Sequence, residues 1–254
     1  EAKWDKLNTD IVVLATGKPK TKEDVEKHLS KGCKKVIVAS TPEDFKDIQI
    51  YVPGANDEDI NLNSSAFSLG SNTANAVAPI LKALESKVGV ERAFLTTVHG
   101  YSNSNRLADV AGEGFRLNRA AGENIIPNIT KSSEVIANVL PFIEGKIASS
   151  SMTVPIPDGS TVDLTIDIKN ESSIEDINNI IQNASKSDLK NIIGLTYDPI
   201  VSSDVVRSTL SGLVDGLATM VINNKKIKLI IWFDNGWGYA ARIVDTVKKL
   251  GQVI

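Results

Sequence analysis

Three polar stretches hold the residues suited to chemistry: 68–75 (SLGSNTAN), 96–99 (TTVH) and 232–239 (WFDNGWGY). The first opens a helix, the second ends a strand, and the third lies near the C-terminus. His99 has the side chain for general acid–base work near neutral pH. At a strand end it serves equally well as a hydrogen-bonded core residue. Asn72 sits at the helix start. Its amide nitrogen is delocalised into the carbonyl, so it cannot form a covalent adduct with a carbonyl substrate. Asn is also a favoured N-cap, which predicts a capping duty for Asn72. The neighbouring Ser71 carries a hydroxyl, which lacks the nucleophilicity of a thiolate. Cys33 is the only cysteine and lies outside all three stretches.

The elements that must position these residues follow from periodicity. Residues 10–16 (DIVVLAT) and 34–40 (KKVIVAS) are short apolar runs, as expected of strands buried on both faces of a parallel sheet. Between them, residues 21–30 read as a helix with Thr21 as N-cap, Asp24 one turn in and Gly32 as the stop. A short third strand is expected near 48–52 and a last one near 64–67. This is the pattern of a parallel βαβ unit. Residues 71–88 read as a helix with Ala76, Val77, Ile80, Leu81 and Leu84 on one face. Residues 90–99 read as a strand and 132–143 as a helix with Pro141 near its end. Between them, residues 101–122 show little periodicity and read as a long loop of the kind that serves a site or an interface. Strands are expected at 149–156, 161–169, 192–197, 216–223 and 228–234, with period-two alternation in places. That predicts a mostly antiparallel sheet covered on one face. Helices are expected at 174–184, capped by Ser172 or Ser173, and from Gly236 to Leu250.

Composition narrows the function classes. At 254 residues the chain can bury one large core or two smaller ones. A net charge of −3, with 42% hydrophobic and 23% charged residues, gives no overall drive toward nucleic acid or an anionic membrane. The lysine groups 18/20/22 and 225/226/228 read as solvated loops or turns. One cysteine permits no internal disulfide and no zinc cluster, and fits the cytoplasm or another reducing compartment. No apolar run approaches the roughly 20 residues of a membrane helix. The chain starts at Glu1 and shows no signal peptide.

The three stretches, in this order and spacing, resemble the glyceraldehyde-3-phosphate dehydrogenase family. Further matches are 122–127 (GENIIP), Val154-Pro155, 162–165 (VDLT) and 201–204 (VSSD). The resemblance implies an α/β plus α+β chain: a truncated Rossmann half-domain joined to a mixed, largely antiparallel sheet of the catalytic type. It places the second half of the cofactor fold at 1–71, the catalytic-type domain at 72–236, and a returning helix at 237–254. Residues 10–16 resemble the fourth strand of that Rossmann fold. No Gly-x-Gly-x-x-Gly turn occurs, so about half of the family's NAD site has no counterpart in this sequence.

The same resemblance assigns residues. In the family the first motif reads Ser-Asn-Ala-Ser-Cys-Thr-Thr-Asn, and Asn72 stands where its nucleophilic Cys would be. His99 matches the general base. Ser71, Ser102, Thr130 and Lys131 fall at the phosphate sites. There Lys131 replaces a Gly, and Ser102 and Ser104 replace threonines. Thr153 stands where an arginine clamps substrate phosphate, exchanging two charge-assisted bonds for at most one neutral one. Thr16, Gly17, Ser40, Asn235 and Tyr239 match residues lining the NAD cleft, and Gly236 replaces an acidic residue. These losses imply a catalytically silent member, kept for binding or assembly as a homo-oligomer or as a subunit of a larger complex. The alternative is an NAD-dependent oxidoreductase acting on a phosphorylated aldehyde, with its N-terminal half present in the native protein or supplied by another chain. A small-anion sensor using Thr130, Lys131 and Arg106 is a third reading. No metal, nucleic acid or membrane partner is implied.

Overall fold

A buried parallel strand must pair on both edges or be covered, and the N-terminal sheet meets this condition only in part. The computed structural model describes residues 2–18, 20–112 and 114–254. Strands β1 (Ile11–Leu14) and β2 (Lys35–Val38) pair in parallel through helix α1 (Lys22–Leu29). A capping box starts α1: the Thr21 hydroxyl accepts from the Asp24 amide and the Asp24 carboxylate accepts from the Thr21 amide. Strands β3 (Gln49–Ile50) and β4 (Ala66–Ser68) complete an all-parallel sheet of order β1-β2-β4-β3. All four residues of β2 are buried, as a central strand requires. The expectation of two buried faces fails for β1, where Val12 and Leu14 are buried but Val13 is 38% exposed. The physical reason is position: among the described residues β1 pairs only with β2, so it is an edge.

The larger sheet is built on helix α2 (Asn72–Val88), whose Thr73, Ala74, Asn75, Ala76, Val77 and Ile80 are among its buried residues. Around it lie β5 (Val90–Gly100), β6 (Ile126–Asn128), α3 (Ser132–Val139), β7 (Ile147–Val154), β8 (Ser160–Ile168) and α4 (Ile174–Lys186). Then follow β9 (Ile193–Thr196), β10 (Gly212–Asp215), β11 (Met220–Ile222), β12 (Lys226–Phe233) and α5 (Trp237–Gly251). The strand order is β6-β7-β5-β8-β12-β10-β9, with β11 beside β12. Only β5/β7 and β9/β10 run parallel, so the sheet is mixed and largely antiparallel. Inward residues of β5, β8 and β12, such as Leu95, Leu164 and Leu229, pack with α2, α3 and α4 in one core. Phe94 and Met152, on the opposite face, remain 62% and 37% exposed.

Three further expectations need correction, and one strand was missed. The helix expected through residue 143 ends at Val139, because Pro141 cannot continue it and instead opens a one-turn 3-10 helix. The strand expected at 216–223 is two pieces of structure: a turn held by Asp215, then β11. Strand β10 was not expected at all; four residues, Gly212–Asp215, are too few for a visible period. Lys226 and Lys228 are strand residues, paired with Asp167 and Asp163 of β8 rather than solvated in a loop.

Helix α5 closes the smaller sheet. Its Tyr239, Ile243, Val247 and Leu250 pack with Ile37, Tyr51, Phe67 and Leu69. At its end, Lys249 Nζ donates to Asp57 Oδ1 at 2.8 Å and lies 4.8 Å from the Tyr51 ring centre. Tyr51 also donates to Asp57, and burial pushes its phenol well above the usual value. Burial alone would raise the Asp57 carboxyl, but the bonds from Lys249, Tyr51 and the Gly54 amide outweigh it and hold Asp57 below the ordinary range. A carboxylate depressed in the folded state stabilises fully above its unfolded pKa, about 3.9, and loses that stabilisation as pH falls through the folded value. Asp57→Asn is therefore expected to cost about 1–2 kcal/mol at neutral pH, allowing for partial exposure. Urea titrations of both proteins across the acid range check this. The difference should shrink as pH drops below the carboxylate range.

Candidate functional site

The site gathers where the two sheets meet, at the head of α2. Ser68 ends β4, and its hydroxyl donates to the Ser40 carbonyl at 2.7 Å. Gly70 follows with φ +63°, a left-handed turn that a Cβ would oppose by meeting Val135 at 2.6 Å. The Tyr239 hydroxyl donates to the Gly70 carbonyl at 2.9 Å, so α5 braces this turn; burial raises the Tyr239 phenol pKa. The N-cap is Ser71, whose hydroxyl accepts from the Ala74 amide at 3.1 Å. The capping duty expected of Asn72 thus belongs to Ser71, since Asn72 already has helical position as the first residue of α2.

Asn72 is tied down at both ends of its amide. Its Oδ1 accepts from the Thr73 amide at 2.9 Å, and its Nδ2 donates to the Asn235 carbonyl at 3.0 Å. Asn235 is held in turn: Ser160 donates to its Oδ1, and its amide donates to Asp158 Oδ1 at 3.2 Å. A chain of hydrogen bonds therefore links α2, the start of β8 and the β12–α5 junction.

His99 lies near the end of β5, on the same face as Thr97, whose hydroxyl meets that of Thr73 at 3.4 Å. His99 Nδ1 is 2.8 Å from the Gly100 carbonyl. A carbonyl only accepts, so Nδ1 carries the proton and Nε2 is the free basic nitrogen of the neutral ring. Thr153 on β7 is directly across from His99 in the parallel register. Thr153 is fully buried, and its hydroxyl accepts from Asn128 Nδ2.

A second helix end approaches the first. The Ser71 and Ser132 hydroxyls are 3.3 Å apart, and Thr130 Oγ1 is 2.8 Å from Ser132 Oγ. Ser132 is the first residue of α3, so the amide ends of α2 and α3 both point at three hydroxyls. Such ends favour a small anion. Here, however, the amides are largely engaged already. Those of Thr73 and Ala74 go to Asn72 and Ser71, and those of Ser132 and Ser133 go to Thr130 and Ser149.

The structure thus brings Ser71, Asn72, Thr130, Asn235 and Tyr239 into one network, with His99 and Thr153 on the adjoining strands. Thr16, Gly17 and Ser40 lie just past the ends of β1 and β2. There Gly17 has φ +71° and the Ser40 hydroxyl donates to the Lys18 carbonyl at 3.1 Å. Of these, Ser40 reaches the site, through its carbonyl and the Ser68 hydroxyl. Ser102 and Ser104 bond to one another at 2.8 Å on the exposed loop and, among the described residues, stand apart from the network. Lys131 and Arg106 are exposed, with Lys131 at the N-cap position of α3. Sequence reasoning passed over Ser132, Asn128, Ser160 and Asp158. The run Thr130-Lys131-Ser132-Ser133 carried a helix-start signal for Ser132. The other three act across 25 to 77 residues of chain and left no local sign. No group of three or more His, Cys, Asp or Glu able to hold a metal occurs among the described residues.

Comparison with known proteins agrees with this geometry. Residues 71–235, the segment from the cap of α2 to Asn235, match the family described as glyceraldehyde 3-phosphate dehydrogenase, C-terminal domain. The glyceraldehyde-3-phosphate dehydrogenase of Borreliella burgdorferi is 41% identical, over 97% of this chain and 75% of its own length. That of Geobacillus stearothermophilus is 40% identical over 95% of this chain and 72% of its own, and that of Priestia megaterium 39% over 97% and 73%. The chain belongs to the glyceraldehyde-3-phosphate dehydrogenase family.

Proposed function

We propose that this chain is a catalytically silent member of its family, kept for binding or assembly. The observation that carries this reading is Asn72. At the head of α2, where the family places a thiol, the side chain is a carboxamide with both ends hydrogen-bonded to the chain itself. Its nitrogen lone pair is delocalised into the carbonyl and cannot attack an aldehyde. The free Nε2 of His99 then has no thiol to deprotonate. Thr153 supports the same conclusion: its hydroxyl is buried and already taken by Asn128, so it offers no clamp for a substrate phosphate.

NAD is the family's cofactor, and it supplies a hydride acceptor when bound. The residues here fit it at one end only. Asn235 keeps its Nδ2 uncommitted among the described residues, while its other polar atoms serve Ser160, Asp158 and Asn72. The turns at Thr16–Gly17 and Ser40 match, by the family resemblance, turns that line the rest of the cofactor cleft. What the chain lacks is a thiol-bound donor for the hydride. The purified chain is expected to give no NAD reduction with glyceraldehyde 3-phosphate above a no-protein control. Loss of a covalent nucleophile commonly costs about four or more powers of ten. Steady turnover that His99→Ala abolishes would overturn the reading.

Assembly is the role the surfaces favour. The face of the larger sheet opposite the helices exposes Phe94 and Met152, and beside them the ion pairs Arg92–Asp167, Lys226–Asp167 and Lys228–Asp163. The long loop presents Leu107, Phe115 and Leu117 to solvent. Among the described residues β1 pairs on one side only, with β2, and no lysine or proline in the strand blunts its other edge. Sedimentation of the isolated chain at micromolar concentration should show a species larger than the monomer. Phe94→Asp should shift it toward monomer if the sheet face mediates association; Val13→Lys should do so if the β1 edge does. A stable monomer with fast-exchanging amides along Ile11–Leu14 would sink the proposal.

A further inference from the structure

The third polar stretch contains a feature that neither catalysis nor assembly uses. Asn235-Gly236 is the only Asn-Gly pair in the chain. A glycine after asparagine leaves its backbone nitrogen unshielded by a Cβ. That nitrogen can reach the asparagine side-chain carbon and close a five-membered imide. In most folded settings hydrogen bonding opposes this. Here the bonds are arranged to assist it. The Gly236 amide donates to Asp234 Oδ1 at 2.7 Å, placing a carboxylate on the proton that must leave the nucleophile. The Ser160 hydroxyl donates to Asn235 Oδ1, the oxygen that gains negative charge when the carbon is attacked. Gly236 is the N-cap of α5, a 15-residue helix, so the positive end of its dipole lies beside the developing charge. Asn235 Nδ2, the group that must depart, has no hydrogen-bond partner among the described residues. Gly236 itself is exposed, and water reaches the product.

We infer that Asn235 is a site of spontaneous deamidation, promoted by Asp234 and Ser160. The balance closes without any oxidant or reductant. Asp234 takes the Gly236 amide proton as the Gly236 nitrogen bonds to Asn235 Cγ. The Cγ–Nδ2 bond breaks, and the nitrogen leaves as ammonia with that proton. Water then opens the imide at either carbonyl, giving aspartate or isoaspartate. The consequence falls on the site described above. Either product puts a carboxylate beside Ser160, and isoaspartate also inserts a methylene into the main chain between β12 and α5. The carbonyl that holds Asn72 Nδ2 then moves out of register, and Asn72 is released.

The test is a time course of the purified chain at neutral pH, with tryptic peptides followed by mass. Residues 229–242 form one peptide, in which conversion adds one mass unit and isoaspartate separates by retention. The same chain in guanidinium serves as the unfolded reference. Conversion at Asn235 should be at least as fast in the folded chain as in the unfolded one. Ser160→Ala should slow the folded reaction by about tenfold without changing the unfolded rate. A Cβ at Gly236 would meet nothing within 4 Å, so Gly236→Ala keeps the space needed to fold. This substitution should slow conversion in both states. Slower conversion in the folded wild-type chain than in guanidinium overturns the inference, as does a Ser160→Ala rate equal to wild type or conversion undiminished in Gly236→Ala.

Discussion

Burial of α2 is the interaction on which the rest of the molecule depends. Eleven of its 17 residues are withdrawn from solvent, and they include Ile80, Leu81 and Leu84. Each fully buried aliphatic side chain of this size contributes about 1.5–3 kcal/mol. The helix leaves the smaller sheet at Ser68 and lies under the larger one, so the two sheets are fixed relative to its N-terminal turn. Pro79 sits inside the helix and is buried. It donates no hydrogen bond to the turn before it. The helix start is reinforced separately by the Asn75 side chain, whose Nδ2 donates to the carbonyls of Leu69 and Ser71.

The polar cluster at that turn is best understood as a saturated network. In an open anion or substrate site, helix amides and hydroxyls remain available and their desolvation is offset by the ligand. At the ends of α2 and α3 the chain's own side chains fill most of those positions, and Asn72 and Asn128 take up groups that would otherwise face the cleft. Asparagine suits this task because its amide both donates and accepts. Within this fold Asn72 and Asn128 act as internal fasteners.

Much of the architecture was legible in the sequence, for reasons that differ by element. Helices α1 and α4 announce themselves through capping boxes at Thr21 and Ser173, each three residues before an aspartate. Strand β8 alternates buried and half-buried residues through all nine positions, so its period was plain. Strand β10 was obscure because four residues cannot show a period, and Gly212 lies there for close approach to the Ala76 carbonyl of α2. In the site, Asn72, His99 and Asn235 stood out because their motifs are contiguous. Ser160 and Asn128 did not, because their partners are distant in sequence and hydroxyls and amides are common everywhere. The capping role went to Ser71 for a local reason that the sequence left open: either residue could have started the helix, and the φ of −102° at Ser71 decides it.

The closure of the smaller sheet by α5 has a consequence for how the chain comes into being. Strands β1 to β4 precede the larger sheet in sequence, yet Ile37, Phe67 and Leu69 meet their cover only at Ile243, Val247 and Leu250. During synthesis the smaller sheet must wait, with one apolar face bare, until α5 has emerged. Contacts of such long sequence separation are slow to form and prone to wrong partners in the interval. The Lys249–Asp57 pair, spanning 192 residues, is then among the last links to form. Folding of the smaller sheet is accordingly completed from a distance, by a helix that lies beyond the whole of the larger sheet in sequence.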